Sequence, residues 1–322
     1  AHMLNQINYG TDINPSNNEV FNSQTNITSS SNVNFNKCAF KYTDGSVLEI
    51  TGGNTTIEDC YFNYIDKTVC NLSSVMTTIR LSGNNNTIKN NTIHKTAASS
   101  TLNSGNEAII EYNNLYESGY LQSDGAMIHC MVNQQPNVKI RYNWVHDTIK
   151  YGIRFDGNGD GYNGYIHHNI GWNCEGGIMV KGGELSGVQS VGGHFVYNNT
   201  VFNSFDQGKN DIMALNTQGK DSNGEPIDIN FGTIVMNNLA ERVYGERSNA
   251  VDISDNMYDA NNFSPTKLED YINSFANKDF RPINDANIIN QADNSNTTAN
   301  TYIEGIYGYN SDVSLKFNPG SG

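Results

Sequence analysis

Short apolar segments recur along the chain, and each is followed by a small polar residue three positions after its first apolar residue. The pattern is an apolar residue, two mostly polar residues, the small polar residue, any residue, and usually a second apolar residue. Its first residues, 22 to 39 positions apart, are Phe35, Ile57, Ile88, Ile110, Ile140, Ile166, Val196 and Val235. The segments are rich in β-branched and aromatic residues and are bounded by Gly and Asn, which is typical of strands. None of them has the 3.6-residue periodicity of a helical repeat.

The small polar position predicts how the repeats stack. It is Cys38 and Cys60 in the first two repeats and Asn in the six that follow, at positions 91, 113, 143, 169, 199 and 238. Asn side chains at equivalent positions of stacked parallel strands hydrogen-bond to each other and to the backbone, which satisfies a buried turn. The sequence therefore predicts an all-β fold, a right-handed parallel β-helix of about eight or more rungs.

The repeats also divide the chain into three parts. Residues 31–262 are predicted to form the β-helix, and residues 1–30, rich in Asn, Ser and Thr, an N-terminal extension or cap. Residues 263–322 are predicted to form a C-terminal helix and an irregular cap over the last strand edge. The helix is predicted over residues 264–279, because Ser264 supplies an N-cap and Pro265 occupies the first helical position. Residues 1–3 resemble a cloning remnant, so we expect the native N-terminus to be missing.

Composition narrows the classes of partner. The formal net charge is −14 and the pI about 4.8, which argues against nucleic acid, because phosphate binding needs clustered Lys and Arg. No apolar run approaches the roughly 20 residues that span a bilayer, so we expect no membrane insertion, and we expect a monomer. The five Cys have no metal-binding spacing and are interpreted as small buried residues. A Cys38–Cys60 disulfide is an alternative, since equivalent positions of adjacent rungs lie about 4.8 Å apart.

Several runs resemble segments of the pectate-lyase-like superfamily of secreted β-helix carbohydrate-active proteins. They are Ser123 to Ala126, Tyr142 to Asp147, Gly152 to Asp156 and Ile166 to Asn169, and the resemblance covers residues 33–260. It implies the β-helix fold, a polysaccharide substrate and a secreted or cell-surface location. The chain lacks the DPHD-type motif of alginate epimerases and the paired-Asp motifs of polygalacturonases.

The second strand of each repeat predicts a face that carries charged side chains. If Ile153 and Phe155 point into the core, then Arg154 and Asp156 point outward, because residues alternate along a strand. The same reasoning predicts two outer columns: Ser82, His129, Asp156 and Lys181 in one, and Arg80, Met127, Arg154 and Met179 in the other. A solvated ladder of neutralising charges is the simpler alternative. Nearby loops add Asp124, Tyr120, Tyr151, Asp160 and Tyr162, and aromatic rings with carboxylates suit a sugar chain.

The sequence does not predict a metal site. His146, Asp147, His167 and His168 do not converge in the predicted register, and we assign His168 to substrate binding instead. The run from Asp156 to Gly161 resembles the start of a calcium loop but lacks the Glu of an EF-hand, so we expect no cofactor and keep calcium as an alternative. His194 follows a Gly-Gly pair and is interpreted as structural.

Three function classes remain open. A glycoside hydrolase acting on an anionic polysaccharide would use Asp124 and Asp156 as its two carboxylates, with His129 and Lys181 nearby. A polysaccharide lyase would use Lys181 or His129 as base and Arg154 or Arg80 as the cation that stabilises the enolate. A non-catalytic glycan-binding β-helix is the third class. We expect Arg80, Arg154, Tyr120, Tyr151, Tyr162 and His168 to contact substrate.

Overall fold

The chain forms a parallel β-solenoid, as predicted, and its strands lie on three faces. The computed structural model describes residues 25–27, 31–43, 45–66, 77–122, 124–131, 135–156, 163–181, 193–205, 211–216, 219–220, 222–227, 233–240, 243–247, 257–260 and 271–283. Neighbouring strands within each face pair in parallel, and each residue pairs with its equivalent one rung along the axis. No helix occurs among these residues. The all-β fold class is therefore confirmed.

The first face is a sheet of nine strands. Its strands, numbered in chain order with those of the other faces, are β2 (Asn34–Asn36), β5 (Thr56–Glu58), β8 (Thr87–Lys89), β11 (Ile109–Glu111), β14 (Lys139–Arg141), β16 (Tyr165–His167), β18 (Phe195–Tyr197), β23 (Thr233–Met236) and β26 (Met257–Ala260). All eight anchors of the sequence pattern lie in this sheet, and β26 adds a ninth strand, so the rung count differs slightly from the number of anchors.

The second and third faces belong to one larger sheet, because two long strands run through both. The second face contains β3 (Ala39–Lys41), β6 (Tyr61–Ile65), β9 (Thr92–Thr96), β12 (Asn114–Ser118), β19 (Thr200–Phe202) and β24 (Leu239–Ala240). The third contains β1 (Thr25–Ile27), β4 (Leu48–Ile50), β7 (Thr77–Leu81), β10 (Ser100–Ser104), β13 (Ala126–Cys130), β20 (Ile212–Asn216) and β25 (Val243–Arg247). The long strands are β15 (Trp144–Phe155) and β17 (Ile170–Lys181). Outside the three faces, β21 (Gly219–Lys220) and β22 (Pro226–Ile227) form a separate antiparallel pair.

The corners of each rung are sharp because one residue adopts a left-handed conformation at each. Three columns of non-glycine residues have φ between 50° and 61°. The column before the first face includes Asn54, Asn85 and Asn137, the column before the second includes Asp59, Asn90 and Tyr142, and the column after the second includes Lys95, Glu117 and Asp147. Asn and Asp tolerate this region better than other non-glycine residues, which explains part of the Asn content of the chain.

A hydrogen-bonded ladder of buried Asn side chains follows the second of these corners. In Asn169, Nδ2 donates to the Oδ1 of Asn199 at 3.0 Å and to the carbonyl of Ile140 at 2.9 Å. Its Oδ1 accepts from the backbone N–H and the Nδ2 of Asn143, both at 3.0 Å. The same bonds repeat from Asn91 to Asn238, and each of the six side chains is at most 1% exposed. The predicted ladder is confirmed.

The register of the third face differs from the prediction in two respects. The strand β10 lies between β7 and β13, so Arg80 is three rungs from Arg154 rather than two. His129 pairs with Arg154 rather than with Asp156, and the outer column reads Arg80, Asn103, His129, Arg154 and Met179. The sequence pattern missed β10 because Leu102 is its only large apolar residue.

The strict alternation of inward-facing and outward-facing side chains also fails where the chain enters the third face. Met127, predicted to point outward, belongs to the solenoid core, whereas Ala126 packs in a separate cluster with Tyr151, Met179 and Met213. The register places Met127 beside Gly152, where an added Cβ would lie 2.9 Å from the core side chain of Val145. Two consecutive residues therefore face inward at this corner, because the chain turns there.

The C-terminal part of the described chain is a β-hairpin rather than the predicted helix. Strands β27 (Ile272–Ser274) and β28 (Asp279–Pro282) pair in an antiparallel manner. Phe275 and Phe280 of this hairpin contact the ring of Trp172 on the second face. The N-capping signal that motivated the helix, at positions 264 and 265, lies outside the described residues, as do most of the predicted terminal caps.

The described residues include no helix long and apolar enough to cross a membrane.

We predict that replacement of one ladder Asn destabilises the whole solenoid. In Asn169→Leu the Asn143 backbone N–H loses its partner, and the Ile140 carbonyl, the Asn143 Nδ2 and the Asn199 Oδ1 each lose one hydrogen bond. A buried polar group left unpaired costs about 1–3 kcal/mol. Urea unfolding should show a lower free energy of unfolding by several times the change caused by Asn84→Leu. Asn84 is an exposed turn residue and serves as the matched control. Equal losses in both variants would contradict a stabilising ladder.

Candidate functional site

The most concentrated group of charged side chains in the described third face surrounds Arg154. Its guanidinium donates through Nη1 to the Oδ1 of Asp124 at 2.9 Å and forms an ion pair through Nη2 with the Oδ2 of Asp156 at 2.5 Å. The side chains of Arg154 and Asp156 are 19% and 17% exposed, whereas that of Asp124 is 69% exposed. Two carboxylates of different accessibility therefore share one guanidinium. The sequence predicted that these three residues lie together.

Asp156 is the more strongly held of the two carboxylates. Its Oδ2 lies 3.6 Å from the Nε2 of His129, and the register places Lys181 beside it in the next rung. Burial by itself would raise the pKa of Asp156, but the contacts with His129 and Arg154 and the charge of Lys181 outweigh burial and lower it. Asp156 is therefore ionised at neutral pH, as a base or a nucleophile must be.

Asp124 is held by fewer partners, and a glycine shapes its loop. Gly125 has a φ of +103°, and an added Cβ would lie 2.5 Å from the Ser99 carbonyl, so a side chain is excluded there. The N–H of Gly125 donates to the Asp124 Oδ1 at 2.7 Å. Burial acts to raise the pKa of Asp124, while the hydrogen bond and charge of Arg154 and the Gly125 N–H lower it overall. Fewer cations act on Asp124 than on Asp156, since Lys181 acts only on Asp156, but Arg154 is close to both.

His129 is buried beneath the carboxylates. It is 2% exposed, its Nδ1 lies 2.6 Å from the Ser100 hydroxyl, and its carbonyl accepts from the Asn103 side chain at 2.7 Å. Its Nε2 is buried and makes no hydrogen bond to a described residue. Ser100 and Asn103 were missed by the sequence analysis, because their strand carries too little apolar pattern to be recognised.

A buried lysine lies behind the Asp124 loop, and no sequence pattern predicted it. Lys150 is fully buried, and its Nζ donates to the carbonyls of Ala98 and Ser99. Burial lowers the pKa of Lys150 to about 7, although the charges of Asp66 and Asp124 act in the opposite direction. Burial likewise raises the pKa of Asp66 to about 6. Lys150 holds the segment against which Gly125 packs, and its donors are directed at backbone rather than at solvent.

The remaining predicted contact residues lie at different distances from this group. Tyr120 is 54% exposed in the segment that leads to Asp124, whereas Tyr151 is 5% exposed and lies beneath Arg154, whose guanidinium carbon is 5.9 Å from its ring centroid. Arg80, three rungs away, has its Nη1 3.8 Å from a carboxylate oxygen of Glu49. Tyr162 and Asp160 lie outside the described residues.

His168 is not part of the site, contrary to the prediction. It lies at the corner after the first face with a φ of 54°, and its Nδ1 is 2.8 Å from the Nδ1 of His167. Burial, with the charge of Arg141, lowers the pKa of His168 to about 4. His168 immediately precedes the ladder residue Asn169, so it lies at the corner between the first and second faces and not on the third face.

The described residues contain no group of three or more His, Cys, Asp or Glu that could hold a metal ion. Most of the calcium-like run after Asp156 lies outside them. His194 is fully buried, and its Nδ1 accepts from the Gly164 N–H at 3.1 Å. Burial lowers its pKa to about 3, which agrees with the structural role expected from the sequence.

Comparison with known proteins gives one match. A family model described as the right-handed beta helix region matches residues 26–201, which is more than half of the chain. No curated protein and no solved structure matches the chain.

We predict that Arg154 controls the stability contributed by both carboxylates. Arg154→Met leaves two neighbouring carboxylates without their shared cation, so the pKa of each should rise. A carboxylate with a lowered pKa contributes stability above its unfolded-state pKa, and that contribution is lost as the pH falls through its folded-state pKa. Urea unfolding should therefore show a large deficit for Arg154→Met near pH 7 that shrinks toward about pH 3.

The matched control is Arg80→Met, which removes an Arg of the same column whose side chain is 41% exposed and 3.8 Å from its partner. Its effect on unfolding should be small, because exposed ion pairs contribute little. An Arg154→Met deficit that is independent of pH would contradict the electrostatic role.

Proposed function

The chain belongs to the right-handed beta helix family, and we propose that it is a secreted glycoside hydrolase that cleaves an anionic polysaccharide on the third face. The observation that carries the proposal is the unequal pair of carboxylates on Arg154, one largely exposed and one largely buried. Glycoside hydrolysis needs one carboxyl group that donates a proton to the leaving oxygen and a second that remains ionised as base or nucleophile.

Asp156 is assigned the ionised role. Its pKa is lowered by His129, Arg154 and Lys181 together, and these contacts persist when substrate covers the surface, because His129 is already buried. Its carbonyl also accepts from the Gln135 side chain at 3.2 Å, and its N–H donates to the Cys130 carbonyl at 3.0 Å, so its backbone is fixed on both sides.

Asp124 is assigned the proton-donating role. In the free protein its pKa is lowered, yet burial is the largest influence on it and acts in the opposite direction. A sugar ring placed over this exposed carboxylate removes more water from it and competes for the Nη1 of Arg154. Both changes raise the pKa of Asp124, whereas Asp156 retains His129 and Lys181. Substrate binding therefore separates the two carboxylates into an acid and a base.

We assign the binding of the substrate's acidic groups to cations on either side of the carboxylate pair. Two carboxylates at the centre repel an acidic group there, so acidic groups of the substrate would bind at Lys181 on one side and at Arg80 on the other. Arg80 is three rungs from Arg154, about 14 Å at the usual strand spacing, a distance that a chain of several linked sugars covers. The exposed ring of Tyr120, in the segment that leads to Asp124, offers an apolar surface on which a sugar could stack.

A lyase is the second candidate, and one observation favours it. His129 and Arg154 are paired residues of adjacent rungs, so a base and a cation that stabilises an enolate lie side by side. The buried Nε2 of His129, 3.6 Å from the Asp156 Oδ2, would have to become accessible to a substrate carbon. Against a lyase, both terminal nitrogens of Arg154 already contact carboxylates.

A panel of neutral, uronate-containing and sulfated polysaccharides distinguishes the hydrolase from the lyase. Release of reducing ends together with new ultraviolet absorbance indicates a lyase, and release of reducing ends alone indicates a hydrolase. If neither signal appears with any polysaccharide of the panel, the result indicates a glycan-binding protein.

We predict that Asp156→Asn lowers kcat by about 10²–10⁴-fold with little change in KM, because it removes the base or nucleophile but keeps size and shape. Reducing-end release from the polysaccharide that the panel identifies measures this. Asp59→Asn is the matched control, since Asp59 is an exposed corner residue with a φ of 54° that Asn also adopts. Near-normal activity of Asp156→Asn would remove the hydrolase assignment, above all if His129→Gln were inactive.

The proton-donating role of Asp124 has a different signature. Asp124→Asn should lose activity on the natural substrate but retain far more on an aryl glycoside with a good leaving group, which needs no protonation. Asp156→Asn should lose activity on both. If Asp124→Asn loses activity equally on both substrates, Asp124 is not the proton donor.

The charged flanks give a further expectation. Arg80→Ala and Lys181→Ala should raise KM for the anionic polysaccharide, and added salt should raise KM for the unsubstituted protein, because salt screens exposed charges. Arg281→Ala, on the C-terminal hairpin, should leave KM unchanged and serves as control. A KM that does not change with salt or with either flank substitution would remove the assignment of acidic groups to these residues.

A further inference from the structure

The ladder that holds the second corner together ends in two cysteines rather than in Asn. Cys38 and Cys60 occupy the ladder position in the first two rungs, and the adjoining strands pair Ala39 with Tyr61 and Asn36 with Glu58. They are therefore equivalent residues of neighbouring rungs. Both are free thiols in this structure.

The Cys60 thiol takes the place of an Asn amide. Its Sγ accepts from the Cys38 N–H at 3.4 Å, as the Asn Oδ1 does elsewhere in the ladder. The same Sγ also contacts the carbonyls of Glu58 and Phe35, at 3.2 Å and 3.5 Å, as the Asn Nδ2 contacts the corresponding carbonyls. The Cys60 side chain therefore points toward the rung that carries Cys38.

A thiol is a poor substitute for an amide in this ladder. The S–H group is a weak donor and sulfur a weak acceptor, so two Cys residues at the end of the ladder give up much of the hydrogen bonding that the later Asn residues provide. Among the described strands, β2 and β3 are also the end strands of their sheets, so this rung has a described neighbour on one side only in these two faces. A covalent bond between the two rungs would offset both weaknesses.

We propose that Cys38 and Cys60 are a disulfide-forming pair that covalently links the first described rung of the solenoid to the second. Equivalent residues of adjacent parallel strands have Cα atoms about 4.8 Å apart, within the 4.4–6.8 Å range of disulfides. The bond requires rotation of the Cys38 side chain toward Cys60. The polar contact of the Cys38 Sγ is with the Asn36 carbonyl at 3.5 Å, and within the part of the chain that the structure describes β2 and β3 have a neighbouring strand on one side only, so the rotation and a small backbone shift are accommodated.

The oxidation balances with a low-molecular-weight disulfide such as oxidised glutathione. Cys38 is half-buried, whereas Cys60 is 2% exposed, so the Cys38 thiolate attacks first, forms a mixed disulfide and releases one glutathione thiolate. The Cys60 thiolate then attacks the Cys38 sulfur and releases the second glutathione. The two protein thiols lose two protons and two electrons, and the glutathione disulfide is reduced to two thiols.

The test compares the purified chain after treatment with oxidised glutathione and after treatment with dithiothreitol. Intact-mass measurement should show a loss of two hydrogen atoms, and thiol titration in denaturant should fall from the five Cys of the chain to three. A non-reducing peptide map of the unsubstituted protein should contain Cys38 linked to Cys60. A glutathione adduct that persists on Cys38, a link through Cys70, or five remaining thiols would overturn the proposal.

Variants measure the consequence for stability. The disulfide closes a loop between residues 22 positions apart, so the oxidised protein should have a higher Tm than the reduced protein. In Cys38→Ser the two treatments should give the same Tm and the same mass, whereas in Cys130→Ser, which alters a core thiol distant from the ladder, oxidation should still remove two thiols. If oxidised and reduced forms of the unsubstituted protein melt together, the bond does not support the terminal rung.

Discussion

The column of buried Asn side chains is the interaction on which the rest of this structure depends. Each rung turns sharply between its first and second faces, and the turn brings backbone amides into the solenoid interior, where water cannot satisfy them. One Asn per rung hydrogen-bonds to the backbone of its own rung and of the preceding rung and to the Asn of the next rung, so the rungs are held at a fixed spacing and in a fixed register at this corner. The core side chains of successive rungs stack in rows because the register does not drift.

The fixed register determines which side chains meet on the outer face. His129 and Arg154 are paired residues of adjacent rungs, and Asp156 reaches both because it follows Arg154 by two positions on the same face. Asp124 arrives from a different direction, on a loop that Gly125 allows to pass close to Ser99. The site therefore combines a rigid part, supplied by the ladder of strands, with one carboxylate on a loop, and this difference accounts for their unequal exposure.

The two ends of the described solenoid are stabilised differently from its middle. In the middle, the ladder is self-sufficient, since each Asn has a neighbour on both sides. At the N-terminal end the position is taken by Cys38 and Cys60, where a covalent bond can replace a hydrogen-bonded neighbour. At the other end of the described chain, the hairpin from Ile272 to Pro282 places Phe275 and Phe280 over Trp172, so that aromatic packing covers an outer surface of the second face.

Much of this could be predicted from the sequence, because the local rules repeat eight times. The apolar anchors and the Asn position depend on short-range geometry, and repetition made them visible above the variation of single residues. The association of Asp124, Arg154 and Asp156 also followed from spacing. Only the tertiary structure decided two kinds of feature: rungs that have no recognisable sequence pattern, and segments that leave the regular strands. These features are the strand Ser100–Ser104, the inward orientation of Met127, the burial of Lys150, and the hairpin in place of a helix. A polar strand such as Ser100–Ser104 is held by its neighbours' backbone and by one Leu. Its own residues therefore carry no signal of the rung that it forms.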